Sequence, residues 1–68
     1  MRYYVVKCKN WTPELYSKNK ILPYSWCKTE GNVPSHTDQI EEARNESAVI
    51  SRCVAMNQEY IRSVKTDD

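Results

Sequence analysis

Apolar residues mark out three stretches of the chain, the first two with a two-residue period and the third with helical spacing. From Arg2 to Asn10 the side chains alternate, with Tyr4, Val6 and Cys8 on one side and Tyr3, Val5 and Lys7 on the other. A two-residue period rich in β-branched and aromatic residues predicts a strand over 2–10. From Ile21 to Lys28, Leu22, Tyr24 and Trp26 share one side and predict a second strand. Pro23 has no N–H to give to a ladder, so this strand is a sheet edge or starts after the proline. Between the two, Thr12-Pro13-Glu14 combines a capping hydroxyl with proline at a first helical position. No periodic run follows it, so a single turn or an ordered loop is expected over 11–20.

The third stretch is the longest. A loop over 29–35 holds the sole glycine, Gly31, and Pro34. Ser35 and Asp38 then stand at the spacing of a capping box, which predicts a helix over 36–65. At 100° per residue, Ile40, Ala43, Val49, Ile50, Cys53, Val54, Met56, Tyr60, Ile61 and Val64 fill an arc of roughly 200°. Asn57 falls inside that apolar arc. Its amide would either clasp strand or loop backbone of the same chain, or mark the register of two paired helices.

These elements predict an α+β fold, one small domain over residues 1–68. A short antiparallel sheet of two strands, or three, packs on one long C-terminal helix in the order β-(turn)-β-α. Thirty helical residues would run about 45 Å, whereas strands of this size reach about 25 Å. Part of the helix must overhang the sheet. A second copy of the chain is the expected cover, which predicts a homodimer with Ile50, Val54, Asn57, Ile61 and Val64 as its self-association face.

Composition limits the chemistry. With 68 residues, a core contributes only about 3–5 kcal/mol without a staple, metal or partner. Three cysteines, Cys8, Cys27 and Cys53, cannot all pair within one chain. Together with His36 they are separated along the chain by intervals far wider than the C-x2-4-C pairs of structural zinc. They read as free thiols, with no metal and no cofactor. One histidine and one glycine leave no nucleophile–base pair in sequence and no phosphate-cradling loop, so a non-catalytic protein is expected. The apolar run after Met1 is short for a signal peptide, and no stretch approaches the ~20 apolar residues of a membrane span. A cytoplasmic protein without a membrane partner is the expectation.

The net charge of +1 hides an asymmetry. Residues 1–29 hold six bases against one acid, whereas residues 30–68 hold four bases against eight acids. In "NWTPELYSKNKILPYSWCK", Trp11, Tyr16, Tyr24 and Trp26 interleave with Lys18, Lys20 and Lys28. Aromatic residues beside positive charge are the material of protein-interface hot spots. They are also the material of single-strand nucleic-acid surfaces, where rings stack on bases and lysines follow phosphates. The first reading predicts a protein-binding modulator, and the second a nucleic-acid-binding accessory protein using the same residues.

The chain's size, its lack of targeting signals and its tyrosine-rich first strand resemble small phage-encoded accessory proteins. That resemblance implies binding to a host factor that is redirected or inhibited. "LYSKNKILPYSWC" followed by "EEARNESAVISRCVAMNQEY" is similar to the small arm-binding domains at the start of tyrosine recombinases, in which a short sheet precedes one helix. The third strand of that family has no counterpart in the periodicity. Neither resemblance assigns a site residue.

Overall fold

The computed structural model describes the backbone of residues 1–65 and the side chains of residues 1–63. The alternating N-terminus forms β1 (Arg2–Cys8), which stops where the chain turns at Lys9 and Asn10. Thr12 and Pro13 start a helix of two turns, α1 (Pro13–Asn19), in place of the single turn expected there. β2 (Tyr24–Thr29) begins after Pro23 and is also an edge of the sheet, so both alternatives that the missing N–H left open hold.

The largest departure concerns residues 36–45. The helix expected over 36–65 begins only at Glu46, as α2 (Glu46–Lys65), and Thr37–Ala43 forms a third strand, β3. Both strand pairings of β1 are antiparallel, and the sheet order is β2-β1-β3. The β1–β3 register explains why the pattern misleads. Val5 pairs with Glu41 but Val6 pairs with Gln39, so Ile40 is an extra residue in a bulge. The side chains of β3 on the helix side are therefore Asp38, Glu41 and Ala43. A bulge has stretched one two-residue step to three, which imitates helical spacing. The helix cap is also later than expected. Asn45 Oδ1 accepts the Ala48 N–H at 2.8 Å, while Ser35 lies in the turn before β3.

α2 lies across the face of the sheet that carries Tyr3, Val5 and Lys7. Val5, Val49 and Cys53 form the core, and Tyr3, Tyr24, Trp26, Ala43 and Met56 pack around it. At the C-terminal end of α2 a second, aromatic cluster takes over. Tyr60 meets Trp11 edge-on at 5.4 Å between centroids and Tyr24 at 5.9 Å, with the Lys7 ammonium 5.1 Å from the Tyr60 ring.

On the opposite face of β1, Tyr4 and Val6 are buried as well. β2 and β3 are both antiparallel to β1, so they run parallel to each other and residues 30–36 must cross β1 between them. Eight Cα steps reach at most about 27 Å, and β1 is about 20 Å long. The connection spans the length of β1 and ends in a turn over residues 34–37. Its far end is held by Thr37, whose N–H and hydroxyl both donate to the Pro34 carbonyl at 3.0 and 2.8 Å.

Candidate functional site

α1 and the segment after it position a groove against the second half of α2. Lys20 ends α1 in the left-handed conformation, with φ 58°, and turns the chain back. Its N–H donates to the Tyr16 carbonyl at 2.9 Å. Trp11 Nε1 then donates to the Ile21 carbonyl at 2.7 Å, which pins the returning segment, and Pro23 is fully buried beneath it. Held at both ends, Leu22 projects outward and remains 48% exposed.

Across from Leu22, α2 presents Val54, Asn57, Gln58, Ile61 and Arg62, and α1 contributes Tyr16. Together they line a groove of about 710 Å³. Its floor and walls are mainly apolar, and Val54 is 49% exposed in it. Positive charge stands at its margins, since Arg62 lines it and the Lys20 ammonium lies 5.1 Å from the ring of Tyr16. A concavity of this size with a few polar groups around apolar walls is the usual form of a binding site.

The aromatic-basic segment divides between core and surface. Trp11 is buried against Tyr60, and Tyr24 and Trp26 are half-buried around the Val5 core, with Trp26 tilted 6.4 Å from Tyr3. Tyr16 faces the groove. Lys18 is exposed and pairs with Glu14 one turn earlier at 2.7 Å. Lys28 is exposed on β2. The rings and the lysines therefore do not form one continuous surface.

The proposed self-association face also divides. Ile50 and Val54 are exposed, Ile61 is buried at the groove floor, and the side chain of Val64 lies outside the described residues. Asn57 is buried, and of its two expected roles the structure holds the clasp. The Tyr24 N–H donates to Asn57 Oδ1 at 2.9 Å, and Asn57 Nδ2 donates to the Tyr24 carbonyl at 3.0 Å. Nδ2 also reaches Cys53 Sγ at 3.6 Å. Burial pushes the Cys53 thiol up from its ordinary range, against a smaller opposite pull from that amide.

Cys8 and Cys27 are half-buried, and all three thiols are free. His36 is exposed, and its backbone carbonyl accepts the Lys9 N–H at 3.0 Å. Among the described residues, no three His, Cys, Asp or Glu side chains gather as they would around a metal ion. No described helix is long and apolar enough to cross a membrane.

Leu22 is the groove residue that the periodicity concealed. A two-residue period sets it on the same strand face as Tyr24 and Trp26, but the strand starts only after Pro23 and leaves Ile21-Leu22 as an exposed apolar pair. Two adjacent apolar residues before a proline, outside any period, were the available signal.

No family model matches the chain, and neither the curated proteins nor the solved structures contain a match to it.

Proposed function

We propose that this chain is a non-catalytic protein-binding modulator of the cytoplasm, acting as an inhibitor of the protein it binds. The groove between α1 and α2 receives an amphipathic helical segment of that partner. The observation that carries this reading is the exposed apolar pair Leu22 and Val54 facing one groove of about 710 Å³. Soluble proteins seldom leave joined apolar surface open unless a partner covers it. Arg62 and Lys20 at the margins favour a segment with acidic residues beside its apolar stripe, the helix-in-groove mode of peptide recognition.

The nucleic-acid reading has less support, because a stacking platform needs open ring faces. Trp11 is buried, and Tyr24 and Trp26 are packed around the core.

The test is a partner capture with paired variants. The wild-type chain should retain one stoichiometric protein through moderate salt. Leu22→Asp and Val54→Asp, both surface changes, should lose it while keeping the wild-type circular dichroism spectrum. Retention of the same protein by both variants overturns the groove as the site. Affinity that instead collapses steeply with salt, together with a mobility shift of single-stranded DNA or RNA, overturns the protein reading.

A further inference from the structure

β2 is an edge strand, and one end of its outer edge is closed by a side chain. Within a strand, the N–H and C=O of one residue point the same way, and successive residues alternate. Both groups of Tyr24 go to Asn57, while the Pro23 carbonyl accepts the Cys8 N–H of β1 at 3.3 Å. By alternation, the main-chain groups of Ser25, Cys27 and Thr29 face β1. Those of Trp26 and Lys28 face away from the sheet, and no cap like Asn57 covers them among the described residues.

The two sheet edges are not alike. β3 is guarded against further pairing by its bulge at Ile40 and by the acids Asp38, Glu41 and Glu42. β2 has no bulge and no proline, and Lys28 is its sole charge.

We propose that the β2 edge pairs antiparallel with the same edge of a second copy of this chain, joining two three-stranded sheets into one across a twofold axis. The open groups dictate the register. Trp26 exchanges both its hydrogen bonds with Lys28 of the second copy, Lys28 does the same with the other Trp26, and Cys27 sits on the axis opposite its counterpart. A shift toward the strand start requires the Tyr24 groups that Asn57 already occupies. A shift the other way sets the two Lys28 side chains directly opposite, which is unfavourable. In the remaining register each Lys28 ammonium lies beside the electron-rich ring of the other copy's Trp26. The surface is thus self-complementary in hydrogen bonding and in charge. None of Trp26, Cys27 and Lys28 lines the groove.

Cys27 supplies the readout. Opposed residues of a non-hydrogen-bonded antiparallel pair have Cα atoms about 4.5 Å apart, inside the disulfide range of about 4.4–6.8 Å. Diamide treatment of the full chain removes one electron and one proton from each of two thiols, forming the S–S bond while the reagent's N=N bond is reduced. A covalent dimer should form in the wild type and in Cys8→Ser, but not in Cys27→Ser. Sedimentation equilibrium should show a monomer–dimer series without oxidant. Lys28→Pro removes an N–H that points away from β1, and should abolish both signals in a folded chain. In the wild type, the Trp26 and Lys28 amides should exchange more slowly as concentration rises, while those of Gln39 and Glu42 stay unchanged. A dimer cross-linked through Cys8 alone, a monomeric mass up to the solubility limit, or exchange at Trp26 and Lys28 independent of concentration each overturns the proposal.

Discussion

Asn57 stands to Tyr24 as a neighbouring strand would. Its amide accepts from the Tyr24 N–H at 2.9 Å and donates to the Tyr24 carbonyl at 3.0 Å, completing both main-chain bonds of an edge residue from a helix. One side chain thereby ties the second half of α2 to the start of β2.

Asn57→Leu keeps the number of side-chain heavy atoms and the helix but leaves the Tyr24 N–H and carbonyl without partners. Each unsatisfied, partly buried group costs about 1–3 kcal/mol, so a loss of about 2–6 kcal/mol is expected in urea unfolding. A core of this size supplies only about 3–5 kcal/mol, which leaves the variant close to its unfolding midpoint. Asn57→Asp keeps the acceptor but sets a carboxylate against the Tyr24 carbonyl. Its deficit should shrink at acid pH, where the protonated carboxyl can donate.

The position of the helix cap separates α2 from the longer helix that periodicity suggests. Asn45→Ala removes the side-chain acceptor for the Ala48 N–H and should cost about 1 kcal/mol in thermal or urea unfolding. Ser35→Ala should be silent within about 0.5 kcal/mol. The opposite order would restore a helix beginning near residue 36.

Arg52 holds Glu41 with two bonds, at 3.0 and 3.2 Å, across α2 and β3. These bonds hold the Glu41 carboxyl below its ordinary value of 4.5. A group whose folded pKa is depressed adds stability that is present above its unfolded pKa and lost as pH falls through the folded one. Stability of the wild type should therefore decline below about pH 4.5 through this pair. Arg52→Ala should flatten that part of the pH–stability curve. Because both side chains are solvent-accessible, added salt should flatten it in the wild type as well.

Lys20 adopts a left-handed backbone that glycine takes without cost and β-branched residues take badly. Lys20→Val should lose about 1–2 kcal/mol. For Lys20→Gly, relief of that conformation offsets the added chain entropy, and stability should stay within about 0.5 kcal/mol of wild type. The two melting curves give the comparison directly.

Legibility in the sequence followed how local each interaction is. The alternation of Tyr3 to Lys7 announced β1, and the missing N–H of Pro23 announced where β2 could begin. Asn57 stood out as an amide within an apolar arc, and a backbone clasp was one of its two readings. β3 was hidden because its bulge at Ile40 and its acids imitate a solvated helical face. Its strand conformation comes from pairing with β1, 29 to 40 residues away in the chain. Likewise, Trp11 and Trp26 looked like surface anchors beside lysines, yet a chain without phenylalanine spends them on its interior.

By itself, then, the sequence determined the α+β class, the first two strands and the apolar run of α2, because periods of two and of about 3.6 residues express backbone geometry directly. Tertiary structure decided which aromatics face inward, that Thr37–Ala43 pairs as a strand, that Asn57 closes the edge at Tyr24, and that Leu22 meets Val54 across a groove. Those outcomes depend on contacts between residues distant in the chain, and only the folded sheet brings those residues together.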